Sequence, residues 1–186
     1  MNAYHITAVV ILAIVALLAV VVVKRRATTP DYSDPNVLLA ALADEAVRIA
    51  ADRGVTLDYS PDSVEQVESL LADLHQRRVD GRLSDDELGL LAHQFGAYIG
   101  EVLRRTYGGY WAEDHEVAGP KTFPIHWRKQ GESFPVGWCG KRMLYGEEDN
   151  VWHKFQMATS DDFLSGAYWP PPWAVHVCGW NCRPPE

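Results

Sequence analysis

The sequence predicts an α+β fold, mostly helical, behind one N-terminal transmembrane helix. Three observations indicate it: an uncharged apolar run near the N-terminus, three amphipathic helical patterns after it, and a later aromatic segment broken by proline and glycine. We divide the 186 residues into a transmembrane anchor with a basic stop at 1–26, a linker at 27–34, an α+β domain at 35–157 and a Trp/Pro-rich extension at 158–186.

The first predicted element is the run at 6–23, which contains no charged side chain and one polar one, Thr7. These eighteen residues rise about 27 Å as a helix, close to the hydrocarbon thickness of a bilayer. No Lys or Arg precedes the run, and the Lys-Arg-Arg at 24–26 is a poor cleavage context. We interpret 6–23 as an uncleaved anchor in membrane lipid, with a cleaved signal peptide as the alternative.

The distribution of charge predicts the orientation and excludes some partners. Basic residues follow the apolar run and none precedes it, which places the C-terminal domain in the cytoplasm. The chain beyond Arg26 holds all 25 acidic and 14 of the 17 basic residues, a net charge of −11. Such an acidic domain lacks the basic clusters of nucleic-acid-binding proteins and is repelled by anionic lipid. We expect a single-pass protein of a plasma membrane with no nucleic-acid partner.

Two helical patterns after the linker each begin with a capping residue followed by proline, a pairing typical of helix N-termini. Asp34 and Pro35 precede the first pattern, and Ser60 and Pro61 precede the second. Apolar side chains recur at helical spacing behind each pair. The predicted helices span 35–52 and 61–79, and a short extended piece spans 55–59.

A third helix is predicted from a capping box, in which the side chains of Ser84 and Glu87 each satisfy an exposed backbone N–H. A long apolar stripe follows, and Gly108 and Gly109 end it. The predicted bounds of this helix are 85–106.

The segment at 110–155 is rich in aromatic residues and is interrupted by proline and glycine, which is typical of short strands and turns. Two short helices are expected near its end, hinged at Gly146 and with Asp149 as a cap. The predicted strands span 110–112, 123–127 and 133–136, and the predicted helices span 138–145 and 149–157.

Gly96 and Gly100 stand four residues apart and share one face of the third helix with Ala92. Each interior glycine costs about 1 kcal/mol of helix propensity relative to alanine, so something must offset that cost. We favour close approach of another element to this groove, and a ligand approaching the backbone is the alternative. The glycines to which we assign a structural role are Gly96, Gly100, Gly108, Gly109 and Gly146.

Residues 96–111 (GAYIGEVLRRTYGGYW) and 134–155 are similar to a family of uncharacterised bacterial domains. That family pairs a helix ending in GxYxGExxRxxxGGxW with a later Pro, Lys-Arg and Gly segment and a closing aromatic helix. The resemblance covers 84–157 and implies no catalytic role. The matching positions are Gly96, Tyr98, Gly100, Glu101, Arg104, Gly108, Gly109, Trp111, Pro135, Lys141, Arg142 and Gly146.

Glu101 has two expected roles. A structural carboxylate would pair with Arg105 one turn later, or reach Lys141 or Arg142 and join the helical and aromatic halves. The alternative is an acid that contacts a ligand. The aromatic, glycine-containing face around Glu101 is our candidate interaction surface. Its binding residues, as a hypothesis, are Tyr98, Glu101, Arg104, Trp111, Trp138, Lys141 and Arg142.

The three cysteines are too few for a disulfide framework and fit a reducing compartment. His176, Cys178 and Cys182 are metal-binding residue types, but they lack the paired spacing of a zinc site, so we expect no metal and no cofactor. Cys139 could act as a thiol nucleophile with His126 or His153. The residues around it match no known local signature, so we expect a buried thiol instead.

The tract at 168–173, Tyr-Trp-Pro-Pro-Pro-Trp, could present a polyproline helix to a partner. The favoured alternative is that the tail folds back over the aromatic half of its own domain.

Three functions follow from these observations. The first is a non-enzymatic interaction or regulatory module, held at the membrane and acting on a protein partner. The second is an immunity-type protein whose acidic domain neutralises a basic toxin. The third is a hydrolase-like enzyme that uses Cys139 or Glu101.

Overall fold

A computed structural model describes residues 30–127 and 131–160 of the chain. This part is α+β and mostly helical, with five helices around a small three-stranded sheet. The helices are α1 (Pro35–Ala51), α2 (Ser63–Val79), α3 (Asp85–Tyr107), α4 (Pro135–Tyr145) and α5 (Val151–Thr159), with a 3-10 turn at Glu147–Asp149. The strands are β1 (Tyr110–Trp111), β2 (Ile125–Trp127) and β3 (Gly131–Ser133).

The predicted anchor at 6–23 and the tail beyond Ser160 lie outside the described residues. Within the described ranges, none of the helices combines the length and the apolar character needed to cross a bilayer.

Helix α3 is the central element. Every residue from 94 to 103 is buried, so this stretch is covered on all sides, which is typical of an interior helix. α1 packs on one side of α3 and α4 on another, while α2 contacts α4 and α5. Buried side chains from all of these elements form one hydrophobic core.

The capping signals of α1 and α3 are confirmed. The Asp34 carboxylate accepts a hydrogen bond from the Asn36 N–H at 2.9 Å. The capping box of α3 is complete, because Ser84 and Glu87 each accept a bond from the other's backbone N–H. Gly108 ends α3 with a φ of 76°, a conformation that suits glycine.

The predicted start of the second helix at Pro61 is wrong by two residues. Tyr59 has a left-handed backbone (φ 63°), and the Asp58 carboxylate accepts from the Ser60 N–H at 2.9 Å. The Ser60 hydroxyl accepts from the Ser63 N–H, so it closes a turn ahead of the helix. The capping residues therefore build a bend, and α2 begins at Ser63.

The sheet is antiparallel with the order β1-β2-β3. The predicted third strand at 133–136 is misplaced, because β3 runs from Gly131 to Ser133. Pro135 instead takes the first position of α4, where its fixed φ suits a helix and its missing N–H is not needed. Asp149 does not cap α5 as expected. The Asn150 side chain accepts from the His153 N–H at 2.8 Å, and Asp149 pairs with Lys154.

Candidate functional site

The glycine face of α3 is occupied by two other elements. A Cβ built on Gly96 would overlap the backbone of Val136 at the start of α4. A Cβ built on Gly100 would overlap the six-membered ring of Trp111. The absent side chains thus let α4 approach closely and make a slot for the indole, so these contacts account for the propensity cost of both glycines.

Glu101 lies one residue beyond this slot and is the centre of a buried ionic cluster. Its side chain is 0% exposed. Arg104 donates through Nε and Nη2 at 2.7 and 2.8 Å, and Arg105 donates through Nε at 3.3 Å. The indole Nε1 of Trp111 donates to the same carboxylate at 3.1 Å. Four hydrogen bonds therefore hold this buried carboxylate and offset its desolvation.

The charges of this cluster persist at neutral pH. Burial on its own raises the pKa of the Glu101 carboxyl. The hydrogen bonds from Arg104 and Trp111, together with the two arginine charges, outweigh that effect and hold the pKa below its usual range. The hydrogen bond to Glu101 in turn raises the pKa of the Arg104 guanidinium. The pair is therefore ionic wherever the domain is folded near neutrality.

One expected partner of Glu101 is confirmed, and two are wrong. Arg105 is in contact as the helical spacing predicted, but neither Lys141 nor Arg142 reaches the carboxylate. Lys141 is exposed, and Arg142 pairs with a different acid, Glu68.

A shallow cleft of about 390 Å³ runs beside this cluster along α1. Arg104 reaches it from α3, because its side chain is 36% exposed although its partner Glu101 is fully buried. Tyr32 also lines the cleft, ahead of α1. The lining residues from α1 are Asn36, Val37, Ala40, Ala41 and Asp44.

Three polar side chains of the cleft, Arg104, Asn36 and Asp44, are each held by a residue behind it. Arg104 is fixed by Glu101, as described. The Asn36 Oδ1 accepts from the backbone N–H of Trp111 at 2.9 Å, and Asp44 accepts from the Tyr59 hydroxyl at 2.7 Å. Such support fixes side chains before a ligand arrives and lowers the entropy lost on binding.

Tyr59 forms the support at the Asp44 end. The guanidinium carbon of Arg105 lies 3.4 Å from the centroid of the Tyr59 ring. The centroids of the Tyr59 and Tyr98 rings are 4.8 Å apart. The Tyr98 hydroxyl accepts from the Tyr59 N–H at 2.8 Å. Burial, followed by the bond to Asp44, raises the pKa of the Tyr59 hydroxyl, so it stays a donor. These contacts hold Tyr59 in its left-handed conformation.

The predicted interaction surface is not exposed as a unit. Tyr98, Glu101, Trp111 and Arg142 lie in the interior, and Trp138 is half-buried against the core. They cannot form one exposed face together with Lys141. Among the seven candidate binding residues, Arg104 lines the cleft, and Glu101 and Trp111 support that cleft from behind.

The remaining predicted glycines lie at turns. Gly109 has a φ of 135°, and a Cβ there would overlap the carbonyl oxygen of His126, so it allows the close start of β1. Gly146 has a φ of 92° and lies against the His75 ring, at the junction that follows α4.

Sequence reasoning missed a second buried ion pair. Arg142 donates through Nε to Glu68 at 2.6 Å, and the Val151 N–H donates to the other Glu68 oxygen at 2.8 Å. One signal was available, because Glu68 is four residues after Val64 and three before Leu71. That spacing places a charged residue on the apolar face of α2.

The residues proposed for catalysis or metal binding are accounted for as far as the structure describes them. Cys139 is fully buried, and burial raises the pKa of its thiol, which therefore lacks thiolate character. The His126 ring stacks on the Tyr110 ring, and its Nε2 lies 3.6 Å from Oε1 of Glu132. The described ranges contain no group of three or more His, Cys, Asp or Glu residues arranged to hold a metal ion. His176, Cys178 and Cys182 lie outside those ranges.

Comparison with protein-family models, curated proteins and solved structures finds no match to this chain. The resemblance to an uncharacterised domain family therefore stays an expectation.

Proposed function

We propose that this protein is a non-enzymatic binding module anchored in a bacterial plasma membrane, with the cleft along α1 as its binding surface. The observation that carries this proposal is the fixed arrangement of Asn36, Asp44 and Arg104, each bonded to a residue behind the cleft. A cleft with a small apolar floor and a few prepositioned polar groups is typical of ligand and peptide sites.

The proposed anchor brings this cleft close to the membrane. Val23 ends the apolar run, and Pro30, seven residues later, already lines the cleft. Seven residues span at most about 25 Å. A cytoplasmic domain on so short a connection meets membrane-bound partners at a raised effective concentration.

The enzyme alternative depends on two residues that the fold does not leave free for chemistry. Cys139 is buried with a raised thiol pKa, and Glu101 is engaged by three side chains. A reacting group needs access to its substrate and a matched pKa. Both facts favour binding over catalysis.

The immunity-type alternative is supported by charge. The net charge of −11 beyond Arg26 speeds association with a cationic protein and makes that association sensitive to salt. In this alternative the partner is a basic toxin, and its binding weakens steeply as ionic strength rises.

The test uses the full chain, tagged and extracted from membranes in mild detergent. Ala40→Trp fills the cleft, and Leu90→Trp on the exposed face of α3 is the matched control. We expect the full chain to sediment with membranes and to resist carbonate extraction. A bound protein should be recovered with the wild type and with Leu90→Trp, and lost with Ala40→Trp.

Thermal unfolding of both variants serves as the control for folding. Equal recovery of the partner by Ala40→Trp and Leu90→Trp would exclude the cleft as the binding surface. Recovery of the full chain in the non-sedimenting fraction would exclude the anchor.

A further inference from the structure

We propose that His115 is a pH-sensitive latch, which keeps the tip of the β1–β2 hairpin closed while its ring is neutral and releases the tip when the ring gains a proton. The tip is the segment 115–119, on the connection between β1 and β2. This inference goes beyond the proposed function and does not depend on the cleft along α1. It is carried by the contacts of the two ring nitrogens of His115.

The tip is a closed turn built around the imidazole of His115. The backbone N–H and C=O of His115 bond to the C=O and N–H of Gly119, at 3.0 and 2.9 Å. Within this pair, the backbone N–H groups of Val117 and Ala118 both donate to Nδ1 of the ring, at 3.2 and 2.8 Å. A ring nitrogen that accepts hydrogen bonds has no proton of its own, so in the neutral ring the proton lies on Nε2.

Adding a proton to the neutral ring therefore means protonating Nδ1. The new N–H would point at the N–H groups of Val117 and Ala118, and a donor that faces two donors forms no hydrogen bond. Both bonds to the ring are then lost, and either the ring or the backbone of the tip has to move. The closed tip and the charged ring thus exclude each other, so the tip opens as the pH falls and His115 takes up its proton.

The other side of the ring faces β3. Nε2 of His115 lies 3.3 Å from Oε2 of Glu132, and the Phe134 ring meets the imidazole edge-on at 5.1 Å between centroids. Nε2 bears a proton in both forms of the ring, so Glu132 attracts the charged form without holding the tip closed. On the far side of Glu132, Nε2 of His126 lies 3.6 Å from Oε1. The other titratable side chains of the hairpin are Tyr110, Glu113, Asp114, Glu116 and Lys121.

The base of the hairpin is fixed independently of the latch. The Ala112 N–H donates to the Pro124 carbonyl at 3.0 Å, and the Phe123 N–H donates to the Glu113 carbonyl at 3.1 Å. The Phe123 side chain is buried in the core. Opening is therefore confined to the tip, where the residues from 116 to 118 are exposed, and it leaves the core in place.

The test is NMR spectroscopy of the full chain in detergent micelles, with ¹⁵N in the backbone and in the histidine rings. The pH is lowered from about 8 to about 5, the range in which histidine ordinarily changes charge. At the upper end we expect the His115 ring to show the Nε2–H tautomer. On acidification the amide signals of Val117 and Ala118 should move with the same midpoint as the ring, while the amide of Gly100 in α3 stays in place as the control for folding.

Two variants separate the latch from its neighbours. His115→Asn keeps a side-chain acceptor two residues before the Val117 N–H but has no titratable ring, so the amides of the tip should no longer respond to pH. His126→Gln is the matched control, because it removes the other imidazole beside Glu132 and should leave the response of the tip unchanged.

Several results would overturn the proposal. The first is an Nδ1–H tautomer of His115 at the upper end of the pH range. The second is a ring that becomes charged while the amides of Val117 and Ala118 stay in place, or a ring and amides that do not change at all. The third is a response that persists in His115→Asn or disappears in His126→Gln, since either would assign the pH dependence to another group.

Discussion

The two buried glutamates of this domain have the same chemistry and different surroundings. Glu101 takes two arginines from its own helix and an indole ten residues later. Glu68 takes its partners from 74 and 83 residues away. The Arg104 side chain is 36% exposed and the Arg142 side chain 6%. The Glu68 pair is closed inside the core and joins distant parts of the chain, whereas the Glu101 cluster opens onto the cleft.

This difference separates a role in folding from a role in presenting a surface. Removing one partner of a closed pair leaves a buried charge without compensation, which is costly. Removing the acid of the open cluster lets its two arginines turn to solvent, so stability falls less and the geometry of the cleft changes more.

The largest effect is expected at the closed pair. Arg142→Met should lower the free energy of unfolding by about 3 to 5 kcal/mol, because Glu68 stays buried without its cation. Denaturant unfolding of the full chain in detergent measures it. The matched control is Arg142→Met with Glu68→Leu, which removes both charges and should recover most of the loss. If the free energy of unfolding of Arg142→Met lies within about 1 kcal/mol of the wild-type value, the Glu68–Arg142 pair is not shielded from solvent as described.

The next effect is expected at the slot for Trp111. Gly100→Ala should destabilise by about 2 to 3 kcal/mol, because its methyl group displaces the indole and breaks its bond to Glu101. Gly89→Ala on the same helix is the control, since a Cβ there meets nothing within 4 Å. It should raise stability by about 1 kcal/mol. Melting temperatures that move in the same direction in both variants would contradict this account.

Glu101→Gln tests the open cluster and its dependence on pH. At neutral pH this substitution should lower the free energy of unfolding by about 2 kcal/mol. The expected loss is smaller than that at the closed pair because both arginines reach solvent. The folded pKa of Glu101 is lowered, so its stabilising contribution is present above the unfolded value, near 4.3, and is lost as pH falls through the folded pKa. The difference in the free energy of unfolding between the wild type and Glu101→Gln should therefore become smaller in acid. Denaturant unfolding of both proteins at pH 7, 4 and 3 measures this difference. A difference that grows as the pH falls would contradict a stabilising role for the ionised Glu101 carboxylate.

The smallest effect is expected at the edge of the cleft. Asn36→Ala removes the acceptor for the Trp111 N–H and should cost about 1 kcal/mol. Asn36→Asp keeps an acceptor and should cost less. The same unfolding measurement ranks the two variants, and equal losses would indicate that the hydrogen bond from Asn36 Nδ2 to Asp34, which both variants lose, sets the effect.

The local features of the fold were predictable from the sequence because their causes are local. The caps at Asp34 and Ser84 depend on hydrogen bonds to residues two or three positions away. The C-terminus of α3 is set by Gly108, the residue directly after it. The start of α2 was missed because Asp58 and Ser60 form a bend with the same residue types that cap a helix. The three short strands were placed only approximately, since each is two or three residues long.

The candidate site was less predictable. The sequence identified Gly100, Glu101, Arg104 and Trp111 as a group, and they do form one cluster. It could not show which of them faces solvent, because that depends on where α1 packs. The pairing of Glu68 with Arg142 depends on a contact across half the described chain, and no periodicity encodes such a contact.

The slot in α3 has a consequence for how this sequence can vary. The Trp111 ring occupies the space where a side chain at position 100 would stand, so the two positions share one volume. Relatives that carry a methyl group at 100 are therefore expected to carry a smaller ring at 111, and the two positions should change together.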